Sequence, residues 1–175
     1  MAKAIDVLRY ISETNPPCGE VQYQKLLYYV QGWSLAWDGT PMFEDRIEAW
    51  AMGPVVPSVR YRLGEKGDYD LSADQKTTID AVVGHYRRWN GGELIEMTHA
   101  EPPWREARGD LPPKEKSNEE VTHNAMRREF TRQSLAGKGP KRPLSRIEEA
   151  DEAKVLDLAA RASRRWSRTL ALLAE

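Results

Sequence analysis

Cysteine is almost absent from this 175-residue chain, where Cys18 stands alone. A single cysteine can build neither an internal disulfide framework nor a thiolate zinc site. It lies beside Pro16 and Pro17 with no neighbouring basic residue to lower its pKa, so a thiol nucleophile is not expected. Long apolar runs are also missing, and the first residues lack the pattern of a signal peptide. A soluble, cytoplasmic protein with no membrane partner is the expectation. Net charge is nearly zero, with 26 Lys+Arg against 27 Asp+Glu and a pI near 6.3. No global field therefore draws the chain to nucleic acid or anionic lipid, and any such binding would have to be local. Histidine is scarce: His85, His99 and His123 are not linked by an HExxH or HxH pattern. With no glycine-rich phosphate loop either, neither metal nor cofactor is expected.

Phenylalanine occurs twice, whereas there are six Trp and seven Tyr. These are large apolar bodies with a polar tip, suited to a core with internal hydrogen bonds or to a recognition surface. Apolar residues make up 40% and charged residues 30%, a globular balance, and the length allows one domain with a real core. The stretch from Gln24 to Trp37 carries one charge, Lys25, and is apolar on every side if helical. A surface helix would keep one polar face, so this one belongs in the middle of the protein. Lys25 must then reach solvent or find a partner; a snorkelling lysine is expected, rather than a catalytic one.

Along the chain, Ala4, Val7, Leu8 and Ile11 mark a first helix near residues 2–14, stopped by Asn15-Pro16-Pro17-Cys18-Gly19. The central helix spans about Val21 to Trp37, and Asp38-Gly39-Thr40-Pro41 reads as a turn. Between Met42 and Met52, Ile47, Ala49 and Ala51 alternate with Glu48, Trp50 and Met52, as in a short strand or hairpin. Gly53-Pro54 is expected to open a helix carrying Val55, Val56, Val59 and Leu63 inward until Gly64 and Gly67. Ser72-Ala73-Asp74-Gln75 is a capping box leading into Ile79, Val82, Val83, Tyr86 and Trp89, with Gly91-Gly92 as the stop. Glu93 to His99 reads as a turn of helix at most, and a short piece starts at Pro102 and fades by Gly109. Ser117 to Glu120 is a second capping box, opening a helix to about Leu135. The fold class expected is mainly α: a multi-helix domain over 1–136 with room for a short β-hairpin, a basic Gly/Pro linker at 137–143, and a long amphipathic helix over 144–175.

Three clusters in this order carry a resemblance. They are Gln24-Lys25-Leu26-Leu27-Tyr28-Tyr29, then Glu48 to Val56 with Trp50 and Gly53-Pro54-Val55, then Thr98-His99-Ala100-Glu101-Pro102-Pro103-Trp104. Each alone is weak, but together, with bulky rare residues at compatible spacing, the stretch Ala4–Phe130 resembles the Panacea domain, the SocA-like antitoxin domain also found in phage-associated proteins. The resemblance implies a small helical domain that acts by binding a cognate toxin. A SocA-like adaptor delivering the toxin to a Clp-type protease is the alternative it raises. No helix-turn-helix precedes residue 20, and the tail after Gly137 departs from the minimal domain.

Most motif residues have a structural explanation. Gly53 permits a tight approach, Pro54 fixes the next residue, and Trp50 and Trp104 are expected as core wedges although Trp also favours interface anchors. His99 could act as a base, and a hydrolase using His99 with Glu101 is the enzymatic alternative. A Thr98-His99 pair tying a loop to backbone carbonyls is the plainer reading, and no catalytic site is expected. In the tail, Leu156, Ala159, Ser163, Trp166, Leu170 and Leu173 recur at three and four, with Arg161, Arg164, Arg165 and Arg168 opposite. That seam could lie on its own domain, in a partner's groove, or against a second copy in a homodimer. The candidate partner contacts are Arg161, Arg164, Arg165, Trp166 and Arg168. Direct DNA binding is disfavoured by the balanced charge and the lack of a base-reading set.

Overall fold

The computed structural model describes residues 2–15, 19–112, 114–143 and 160. The chain divides into two units, Met1–Pro143 and Leu144–Glu175. The fold and the site belong to the first unit; the tail residues Arg161, Arg164, Arg165, Trp166 and Arg168 lie outside the described residues. The described part is mainly α, with helices α1 (Ala4–Thr14), α2 (Glu20–Asp38), α3 (Ala73–Tyr86), α4 (Gly91–Ala100), α5 (Pro102–Arg108) and α6 (His123–Leu135). A two-stranded antiparallel ribbon joins β1 (Glu48–Trp50) to β2 (Gly53–Val55), pairing Glu48 with Val55 and Trp50 with Gly53.

Helix α2 is the centre, and every residue from Gln22 to Leu35 is buried. Helices α1, α3, α4 and α6 and strand β2 all pack on it. Its aromatic residues form the core the composition suggested. Tyr29 stacks on Tyr86 with centroids 3.7 Å apart, and Trp33 Nε1 donates to the Tyr86 hydroxyl at 3.1 Å. Phe130 of α6 sets its ring edge-on to Tyr28, Tyr29 and Trp33. Gly32 allows this, because a Cβ there would fall well inside contact distance of the Phe130 ring. A mid-helix glycine costs roughly 1 kcal/mol relative to alanine, and close approach of α6 to α2 offsets it.

The polar residues of α2 have a common task, which is to satisfy the backbone of the loops around it. Gln22 Nε2 donates to the carbonyls of Arg87 and Trp89. Gln31 accepts from the amides of Met42 and Phe43 through Oε1 and donates to the Phe43 carbonyl through Nε2. Ser34 Oγ donates to the Thr40 carbonyl. A helix that is buried all round can thus carry glutamines without leaving any of them unpaired.

The structure corrects several expected boundaries. Gly53-Pro54 does not open a helix: Gly53–Val55 is strand β2, and only Pro57–Val59 winds into a 3-10 turn. Val55, Val56 and Val59 are buried all the same and Leu63 is half-buried, so three of the four inward positions were right while the helical period was not. Gly91-Gly92 starts a helix instead of stopping one. Asn90 Oδ1 accepts from the amides of Gly92 and Glu93, and the Asn90 amide donates to Glu93 Oε2, making a capping box before ten residues of helix. Helix α6 begins at Thr122, whose hydroxyl caps Ala125, not at Ser117. Residues 119–121 run extended beside β1 instead, with Ala49 N bonded to Glu119 O and Val121 N to Ile47 O. Residues 137–143 form no regular element but rest on the domain, with Pro140 buried and Arg142 paired to Asp38 at 2.8 Å.

Candidate functional site

The three sequence clusters meet at the β1–β2 hairpin. From α2, Gln24 Oε1 accepts from Val56 N at 2.8 Å, and Lys25 Nζ donates to the Pro54 carbonyl at 3.0 Å. From the α4–α5 corner, Trp104 Nε1 donates to the Trp50 carbonyl at 2.9 Å. Arg108 of α5 donates to the Ala49 carbonyl at 3.1 Å. The backbone of the hairpin and its exit is therefore held at four points by side chains from elsewhere. Leu26, Leu27 and Pro103 are buried beneath, and Tyr28 donates to Glu101 Oε2 at 2.8 Å, tying α2 to the corner.

Lys25 departs from the snorkelling expectation. It is 1% exposed, with its ammonium on the Pro54 carbonyl and no carboxylate bonded to it among the described residues. Burial pushes it down to about 7. Gly53 makes room for it. The glycine has φ +94°, and a Cβ there would come 2.7 Å from Lys25 Cε and 2.8 Å from Thr98 Oγ1. The glycine of the motif, the lysine and the threonine are one packing unit. Thr98 completes it by donating its hydroxyl back to the Ile95 carbonyl.

Beside this unit opens a cleft of about 480 Å³, lined on one side by Glu20, Val21, Gln24 and Lys25 of α2. Trp50, Ala51, Met52 and Val55 of the hairpin form the second wall, and Arg60, Tyr61 and Lys116 to Asn118 the third. Trp50 is not the core wedge expected. It is half-buried, with the Arg60 guanidinium 4.3 Å from its ring centre. The same guanidinium lies 4.4 Å from the ring of Tyr61, so it is clasped between two aromatic faces. Tyr61 is 77% exposed and holds φ +65°, a left-handed conformation uncommon for a bulky residue. Met52 at the hairpin tip is 59% exposed. Sequence reading passes over Met52, Arg60, Tyr61 and Lys116. One signal was available: alternation already places Trp50 with Glu48 and Met52, opposite the buried Ile47 and Ala49.

His99 lies behind the hairpin, stacked on Trp104 with ring centroids 3.9 Å apart and planes at 15°. Burial lowers its pKa, helped by the charges of Lys25 and Arg108. Glu101 is buried and pushed up to about 7 by desolvation, and its oxygens take the Tyr28 hydroxyl and, at 3.5 Å, Gln133 Nε2. Among the described residues no hydrogen bond joins His99 to Glu101, so the two are engaged separately. Trp104 itself is buried, as expected of a core wedge. Also among the described residues, no helix is long and apolar enough to cross a membrane.

Fold and site together define a small, mainly helical domain in which a hairpin, bracketed by buried side chains, borders an aromatic–arginine cleft. Residues 23–105 match the family described as antitoxin SocA-like, Panacea domain. The segment that holds all three clusters is thus similar to the Panacea domain of SocA-like antitoxins. No curated protein and no solved structure matches the chain.

Proposed function

We propose that this protein is an antitoxin that neutralises its cognate toxin by direct protein–protein binding. The family match makes an antitoxin role the general expectation, and the cleft carries the finer reading. The half-buried Trp50 and the exposed Met52, Arg60 and Tyr61 line it, and Trp, Tyr and Arg are the residue types that anchor protein interfaces. Burying this face on a toxin would block the toxin's active site or substrate entry without any chemical step. The segment 144–175, with Arg161, Arg164, Arg165, Trp166 and Arg168, is a second contact region under the same proposal.

The test is co-expression. The product of the adjacent gene, expressed alone, should arrest growth; co-expression with this protein should restore it, and the two chains should co-elute. Restored growth with loss of the toxin from the cell, and no stable complex, would replace direct neutralisation by delivery to a protease. A harmless neighbour would remove the antitoxin reading.

A further inference from the structure

The cleft walls are unbalanced in charge. Arg60 and Lys116 are exposed along it and Lys25 is buried in its wall, against the single carboxylate of Glu20. That carboxylate is already engaged, since Glu20 Oε1 accepts from Gln24 Nε2 at 3.0 Å and from the Tyr61 amide at 3.3 Å. The cations are not engaged in the same way. Arg60 is stacked between Trp50 and Tyr61, and no carboxylate pairs with it among the described residues. A guanidinium clasped by two rings has its flat faces covered while its edge, the part that grips carboxylates in a fork, is left for a ligand. The positive end of α2 opens on the same space, with Glu20 and Val21 in the wall and no side chain capping it from Gly19.

The remaining lining is apolar: Val21, Trp50, Ala51, Met52 and Val55. A volume of about 480 Å³ fits one or two side chains, not a folded surface. We infer that the cleft receives an acidic segment of the toxin, seating an Asp or Glu carboxylate between Arg60 and Lys116 and an adjacent apolar side chain against Trp50, Met52 and Val55. This rests on the antitoxin reading and names the chemistry of its partner. The exposed, left-handed Tyr61 fits such a clamp, because strain of that kind persists where the surroundings impose it and clusters at ligand-gripping sites.

The experiment uses the full-length protein and the co-expressed product of the adjacent gene as the probe, with affinity measured on the purified pair. Arg60→Glu and Lys116→Glu alter exposed side chains and should each weaken binding at least tenfold while the free protein stays folded, with the thermal midpoint unchanged for Lys116→Glu and slightly lower for Arg60→Glu, which loses its two ring contacts. Arg127→Glu on the exposed face of α6 is the control and should have little effect. Replacing toxin Asp and Glu residues one at a time by Lys should find one position whose loss of binding is recovered by Lys116→Glu or Arg60→Glu. If both surface variants bind like the wild type, the acidic anchor is overturned while direct neutralisation stands. If the wild type forms no complex, both fall. Stabilisation of the free protein by millimolar succinate, with toxin binding unaffected by the variants, would make the cleft a small-acid site and also overturn the inference.

Discussion

Lys25 and Glu101 are ionisable side chains buried without an ion pair among the described residues, and they bend the pH dependence of stability in opposite directions. Burial lowers Lys25 from 10.5 to about 7. Between those values the unfolded chain holds the extra proton, so this contribution to stability is present above 10.5 and is lost as pH falls through 7. Glu101 is raised from 4.5 to about 7, so its contribution is present below 4.5 and is lost as pH rises through 7. Each can impose a slope of at most about 1.4 kcal/mol per pH unit inside its window. The two groups together place a stability minimum near neutral pH. Urea midpoints of Lys25→Met should lose the rise from pH 7 to 10. Those of Glu101→Gln, which keeps an acceptor for Tyr28, should lose the fall from pH 5 to 7. Wild-type slopes in both variants would mean that the two groups are not desolvated as described.

At the scale of elements, two contacts decide how helices sit. Gly32 admits the Phe130 ring into the α2–α6 interface. Gly32→Ala should therefore destabilise by about 1–3 kcal/mol through overpacking, although alanine is the better helix former. Combining it with Phe130→Ala should cost less than the sum of the two single changes, since the clash disappears with the ring. Additive losses in thermal unfolding would place the ring elsewhere. Helix α4 depends on its cap. Asn90→Ala removes an acceptor shared by two amides and should cost about 1 kcal/mol. Because the cap holds the amides of Gly92 and Glu93, hydrogen exchange should quicken first in the opening turn of α4. Unchanged exchange there would mean that α4 holds its first turn without the cap.

For the whole molecule, the hairpin is the meeting point of segments distant in the chain, and the cleft exists only where they meet. The tail adds a separate question of where toxin contact ends. Deleting residues 144–175 should weaken growth rescue while the remaining domain stays folded by circular dichroism, because the core around α2 draws on α1, α3, α4 and α6. Full rescue by a soluble, folded truncation would remove the tail from the interface and leave the cleft as the proposed contact.

Local signals in the sequence were enough for α1, α2, the Ser72 cap of α3, the short α5 and the central position of α2. Each rests on interactions within a few residues, or on an apolar pattern so complete that only burial satisfies it. The three motif clusters were legible for the same reason, as runs of rare bulky residues. Tertiary structure decided what local rules left open. Asn90 turned a glycine pair from a stop into a start, and pairing with β1 drew Gly53–Val55 out of a helix. Burial beneath that hairpin left Lys25 with a carbonyl in place of solvent. The cleft was hidden for the most general reason: Glu20, Trp50, Arg60 and Lys116 lie far apart in the chain, and only packing around α2 brings them to one wall or another of a shared space.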